Sequence, residues 1–164
     1  MRELEAMAAN VAELLAARGD TVSVTESSAG GLISASLLAV PGASRYFLGG
    51  GVVYTHQARR ALLGLGESLP EGMRASTEDY ARLCASTMQA KLSTTWALAE
   101  TGASGPTGNR YGDDAGHSCI AVLGPVGAST TIETRSADRE ANMWAFTRAA
   151  LELLERCVGE ANTA

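Results

Sequence analysis

Aromatic side chains make up only 5% of this 164-residue chain, so its interior must be built mostly from Ala, Leu and Val. No stretch approaches the roughly 18 consecutive apolar residues of a transmembrane helix. The opening residues Met1-Arg2-Glu3-Leu4-Glu5 carry acids and lack the apolar segment of a signal peptide. A cytoplasmic protein with no membrane association is expected. Cysteine is scarce as well: Cys84, Cys119 and Cys157 are odd in number, far apart, and form no Cys-x-x-Cys pair. That argues against a disulfide framework and for free, buried thiols in a reducing compartment. Nor is there an excess of basic charge. A net charge of −5 and a pI near 5.0 argue against a nucleic-acid partner, which needs clustered Lys and Arg to release counterions. One phosphate on a small ligand needs only a local site. His56 and His117 have no metal-ligand spacing between them and no Cys or carboxylate cluster, so both are read as polar surface or loop residues. No metal and no cofactor is expected.

What is present suits one globular domain. Apolar residues are 46% and charged residues 19%, and a chain of this length buries roughly 70% of its unfolded surface without a staple. Leu4, Met7, Ala8, Val11, Leu14 and Leu15 recur at helical spacing, with Gly19 as a stop. Thr21 to Thr25 alternates β-branched and short polar residues and reads as a strand. A helix follows, its apolar pattern running from Leu32 to Leu38 and ending at Pro41-Gly42. Tyr46 to Tyr54 reads as extended, with Gly49-Gly50-Gly51 marking a bulge or close backbone approach. Gln57 to Leu63 is a short helix closed by Gly64. Ser76 and Asp79 resemble a capping box for a helix reaching Lys91. Trp96 to Ala99 is a buried strand with Thr101-Gly102 at its end, and Gly102 to Gly116 a long loop. Ser118 to Leu123 and Ser129 to Arg135 form a hairpin around Gly124-Pro125-Val126-Gly127. The last helix begins near Asp138, with Trp144, Thr147, Leu151, Leu154 and Val158 as its apolar stripe. Crossovers give parallel pairs and the hairpin an antiparallel one. The expected fold is α/β, a three-layer α/β/α domain with a mixed sheet.

Four segments could carry chemistry. In Thr25-Glu26-Ser27-Ser28-Ala29-Gly30-Gly31 a strand turns into a helix. A helix starting near Ala29 leaves amides unpaired, and Gly30 and Gly31 let a ligand approach them. Ser27 could then attack a carbonyl while those amides hold the oxyanion; the plainer alternative is that Ser27 or Ser28 caps the helix. Tyr54-Thr55-His56-Gln57-Ala58-Arg59-Arg60 could orient a nucleophile, or could be a half-buried Tyr beside solvated arginines. Thr101-Gly102-Ala103-Ser104-Gly105-Pro106 follows a buried strand and can face Ser27, because α/β sheets bind ligands beyond strand carboxyl ends. Arg139 opposes the dipole of the helix it opens, which a ligand anion would explain. Pairing with Glu140 or Glu133 would explain it equally.

Taken in order, these segments resemble the C-terminal domain of the CinA family, also found as stand-alone nicotinamide-nucleotide amidases (PncC-type). The family's Ala-Glu-Ser-Cys-Thr-Gly-Gly is matched at Glu26, Ser27, Gly30 and Gly31. Its Thr-Gly-Ile-Ala-Gly-Pro is matched by Thr101-Gly102-Ala103-Ser104-Gly105-Pro106, and its Gly-Asp-Arg by Asp138-Arg139. The segments Val40-Pro41-Gly42-Ala43-Ser44, Gly50-Gly51-Val52-Val53 and Leu62-Leu63-Gly64-Leu65 are similar too, so the resemblance spans 1–164 as one domain. It implies hydrolysis of the carboxamide of nicotinamide mononucleotide to nicotinic acid mononucleotide and ammonia. Ser27 would be the nucleophile and Tyr54 the proton carrier. Gly30, Gly31, Thr101, Gly102, Ser104, Gly105 and Arg139 would bind the nucleotide substrate. A homo-oligomer is a further expectation. The family's Tyr-Ser-Asn-Glu-Ala-Lys is here Tyr54-Thr55-His56-Gln57-Ala58-Arg59. Arg59 therefore replaces a catalytic Lys, and a guanidinium cannot take a proton as a neutral Lys can. Two alternatives stand beside the enzyme: a nucleotide-binding member without turnover, and an assembly module with a vestigial pocket.

Overall fold

Strand residues alternate between two apolar faces, and this alternation sets the layers. The computed structural model describes residues 2–66 and 68–163. The sheet is built from β1 (Val22–Glu26), β2 (Phe47–Val52), β3 (Trp96–Ala103), β4 (His117–Leu123) and β5 (Ala128–Glu133). Their order is β2-β1-β3-β4-β5. The first three are parallel and the last two add antiparallel pairs. On one face Val22, Val24, Trp96, Leu98, Ile120 and Val122 pack against α1 (Arg2–Arg18), α2 (Leu32–Leu38) and α5 (Arg139–Ala161). On the other, Ala97, Ala99 and Ala121 meet Tyr80, Ala81, Cys84, Ala85 and Met88 of α4 (Glu78–Leu92). The alanines let α4 lie close, whereas the large face carries most of the hydrophobic stabilisation, about 1.5–3 kcal/mol per fully buried Leu or Ile. The expected three-layer α/β/α fold with a mixed sheet is the one observed.

Several boundaries differ from the sequence reading. The first strand runs to Glu26, and α2 begins at Leu32 after a left-handed Gly31 (φ 100°). Ser76 does not cap α4. It sits at φ 60°, outside the extended region a cap needs, and Thr77 accepts the Tyr80 amide instead. The segment after Tyr54 is α3 (His56–Ala58), capped by Thr55, continuing as a π-helical turn (Arg59–Leu63) that stops at Gly64. β3 extends to Ala103, so the long loop begins at Ser104. In α5, Trp144 is only partly buried, while Phe146 and Ala150 fill the core beside Leu151 and Leu154.

The glycine triplet of β2 makes the close backbone approach, and a bulge lies just before it. Val22 pairs with Phe47 and Ser23 with Gly49, leaving Leu48 as a bulge. A Cβ on Gly50 would lie 2.1 Å from the Val24 carbonyl oxygen, so only glycine fits there. Cys84, Cys119 and Cys157 are free and buried. No helix among the described residues is long and apolar enough to cross a membrane.

Candidate active site

Strand β1 has β2 on one side and β3 on the other, so the chain reverses direction across the sheet at the β1–β3 boundary. Ligand crevices in open α/β sheets form outside the strand carboxyl ends at such a point. Beyond it lies the turn Ser27–Gly31, shaped by two buried carboxylates. Glu26, at the end of β1, accepts the Gly31 amide (2.8 Å), the Ile33 amide (3.1 Å), and both the amide and hydroxyl of Ser34 (2.9 and 2.7 Å). Glu100 of β3 accepts the amides of Ser27 (3.1 Å) and Ala29 (2.9 Å), the Ser118 hydroxyl (2.9 Å) and the Ser28 hydroxyl. Burial pushes the Glu100 carboxyl above its ordinary value, against the pull of these donors.

This overturns one expectation. The amides at the start of α2 do not await a ligand, because a carboxylate already neutralises the helix N-terminus. Gly30 bonds back to the Ser27 carbonyl and Gly31 to Glu26. Neither glycine lines the cleft described below; they turn the chain at positive φ, 68° and 100°. Nor does a serine cap the helix: Gly31 is the cap and has no side chain to bond, and the Ser28 hydroxyl is held by Glu100.

Ser27 faces a cleft of about 330 Å³ shared with Tyr54, Arg59, Thr101, Gly102 and Arg110. Thr101 is buried, its hydroxyl accepting the Ser76 amide. A Cβ on Gly102 would lie 2.2 Å from the His117 carbonyl oxygen. Arg59 is 4% exposed. It donates to the Gly66 carbonyl (3.2 Å), and its charge pulls against the burial and the Cys84 contact that push the Tyr80 hydroxyl up. Burial also raises the Cys84 thiol, to about 11. A neighbouring recess of about 240 Å³ joins Tyr54 and Gly102 to Ser104, Gly105 and Arg139. Arg139 pairs with neither Glu140 nor Glu133: its two terminal nitrogens donate to the Gly105 carbonyl (2.5 Å) and the Tyr54 hydroxyl (3.1 Å). Asn142, one turn on, holds the Ser104 carbonyl (2.8 Å). Thus α5 fixes both the 104 loop and the tyrosine.

His117 corrects a second expectation. It is buried on β4, not on a surface or loop. Its Nδ1 donates to Glu133 (2.5 Å) and its Nε2 to the Ser76 carbonyl (2.9 Å). Burial alone would lower its pKa, but Glu133, Ser76 and Asp113 together raise it. Among the described residues no group of three or more His, Cys, Asp or Glu is placed to hold a metal ion.

The sequence reading missed Glu100 and Ser118. The available signal was an acid closing the otherwise apolar run Trp96-Ala97-Leu98-Ala99, one strand from Glu26. Nothing local to Asn109, Arg110 or Tyr111 placed them in the cleft.

A serine-bearing turn at the switch point of a mixed sheet, sharing a cleft with a tyrosine and a buried arginine, is the candidate site of this α/β/α scaffold. The chain belongs to the CinA family: residues 4–158 match the model of the CinA C-terminal domain. It is 36% identical over 155 residues to a CinA-like protein of Gloeobacter violaceus, covering 93% of this chain and 36% of that one. With a CinA-like protein of Prochlorococcus marinus it shares 38% over 127 residues, covering 77% and 30%. The chain therefore spans about a third of the length of these curated relatives. Among solved structures, a competence/damage inducible protein from Agrobacterium tumefaciens superposes with a TM-score of 0.86 at 27% identity, covering 94% of each chain. A CinA superfamily protein from Klebsiella pneumoniae has a TM-score of 0.88 at 23% identity, covering 95% and 98%, a likeness of fold.

Proposed function

We propose that the cleft hydrolyses the carboxamide of nicotinamide mononucleotide, with Ser27 as nucleophile. The observation that carries this reading is the division of labour in the turn. Glu100 holds the Ser27 amide and locks Ser28 and Ala29, and Ser27 lines the cleft with Tyr54 and Arg59. A nucleophile on a braced turn is pre-positioned, which lowers the entropic part of the barrier. Ser27 Oγ forms a bond to the amide carbon and passes its proton through Tyr54 to the departing nitrogen. The C–N bond breaks and ammonia leaves. Water then cleaves the acyl ester, returning the proton to Ser27 and releasing the carboxylate. Arg59 supplies fixed positive charge for the oxyanion, a task the committed amides of Gly30 and Gly31 do not perform. Arg139 orients Tyr54, and the Thr101–Gly105 segment forms the substrate wall.

A second reading, nucleotide binding without turnover, is favoured by the base. Arginine does not deprotonate at ordinary pH, and the chain's single lysine, Lys91, lies in the last turn of α4, which leads into the start of β3 at the opposite end of the sheet. Ammonia release from nicotinamide mononucleotide decides between them. Turnover that falls by orders of magnitude in Ser27→Ala, with folding intact, supports the enzyme. Thermal stabilisation by the nucleotide without ammonia supports the binder, and near-normal turnover in Ser27→Ala removes Ser27 as nucleophile.

A further inference from the structure

The arginines near the cleft are held in two different ways. Arg74 is neutralised: its fork meets both oxygens of Asp113 (2.6 and 3.0 Å). Arg110 lies against the same tyrosine. Both guanidiniums lie over the Tyr111 ring, at 5.2 and 5.1 Å from its centre. Yet among the described residues the side-chain partners of Arg110 are a ring nitrogen and a hydroxyl, Nε2 of His56 (2.7 Å) and the Tyr111 hydroxyl (3.1 Å). No carboxylate among the described residues lies within ion-pair distance of it.

Its base is rigid. Asn109 accepts the amides of Tyr111 and Asp113 and donates to the Asp113 carboxylate. Arg110 and His56 line the Ser27 cleft. With Gln57 and Arg60 they also line an adjoining open recess of about 500 Å³. In a chain of net charge −5, Arg110 thus sets a cation with no carboxylate partner among the described residues in a concave place, lining both the cleft and the recess.

We infer that Arg110, with His56 beside it, forms a phosphate subsite that takes the phosphomonoester of a nucleotide whose reacting group lies at Ser27. This rests on the proposed reading for the reacting group, but not for the anion. An arginine with no carboxylate partner keeps its full charge, and its planar fork suits phosphate. Arg139, whose terminal nitrogens already hold the Gly105 carbonyl and Tyr54, is then a positioning residue for the tyrosine.

The test measures dissociation constants of nicotinamide mononucleotide, nicotinamide riboside and ribose 5-phosphate in a Ser27→Ala background, with and without Arg110→Gln. Arg110→Gln should weaken the mononucleotide and ribose 5-phosphate about ten- to a hundredfold, the range for a lost charged hydrogen bond. Binding of the riboside, which lacks the phosphate, should stay within about twofold. His56→Ala, a separate variant, should weaken the same two ligands by less. Equal mononucleotide binding with and without Arg110→Gln would overturn the subsite, as would failure of both phosphorylated ligands to bind at millimolar concentration. If phosphate binding depends on Arg110 but the protein with Ser27 intact releases no ammonia, the subsite stands and the amidase reading falls.

Discussion

Glu26 and Glu100 stand one step beyond the paired Thr25 and Ala99 on adjacent parallel strands. Both are buried, at 0% and 2% exposure, and both accept four hydrogen bonds. Their donors differ. Glu26 is met by three backbone amides and one hydroxyl, all from residues five to eight positions ahead of it. Glu100 is met by two amides of the β1–α2 turn and two hydroxyls, none from its own neighbourhood in the chain. One carboxylate closes a local strand–turn–helix unit. The other ties that unit to the far strands, and it is the one that sets where Ser27 stands.

Replacing each acid by its amide sharpens the contrast. The largest effect is expected at Glu26. However the side-chain amide introduced by Glu26→Gln is oriented, its NH2 faces at least one fixed backbone N–H. The substitution should therefore cost about 2–4 kcal/mol through a stranded donor and a lost charge. The urea midpoint measures this. A midpoint matching the parent would show that the helix amides do not depend on the carboxylate.

Glu100→Gln should cost less, within about 1 kcal/mol. The amide oxygen can take the Ser27 and Ala29 amides, and the NH2 can donate to the Ser28 and Ser118 hydroxyls, which rotate to accept. If this variant is the more damaging of the two, the hydroxyl side of Glu100 is as rigid as the backbone side, and the comparison fails.

The smallest effect is in pH dependence. Burial raises the folded carboxyl of Glu100 above its ordinary 4.5, so between the unfolded and folded values the native state binds the extra proton. Stability is then lost as pH rises through that window, and Glu100→Gln should abolish that loss. His117, also raised, from 6.5, contributes stability that is full below 6.5 and lost as pH rises through its folded value. A urea-stability profile from about pH 4 to 9 separates the two windows. A Glu100→Gln profile parallel to the parent across the lower window would show that Glu100 does not titrate there.

The same comparison explains what was legible beforehand. Glu26, Ser27 and the glycines form one contiguous segment, so their pattern could be read as a strand turning into a helix, though not that the acid consumes the helix amides. The glycine triplet announced its close backbone approach for the same local reason. Glu100 looked like part of a strand end, because its partners lie 71 to 73 residues earlier and 18 later. His117 was misread because its burial depends on Glu133 and Ser76, across the sheet and from the α4 entry. Arg139 had sensible acidic neighbours in sequence, but it reaches Tyr54, 85 positions away.

By itself the sequence determined the elements, their order and the three-layer class, since periodicity and turn chemistry act over a few residues and short strands join by few rules. It also carried the ordered motifs of the CinA C-terminal domain. Only the tertiary structure decided which buried acid braces the Ser27 turn, which histidine is interior, and which arginines are neutralised or face the cleft. Those outcomes are set by hydrogen bonds and ion pairs between distant segments, whose geometry exists only after the sheet has closed and water has left.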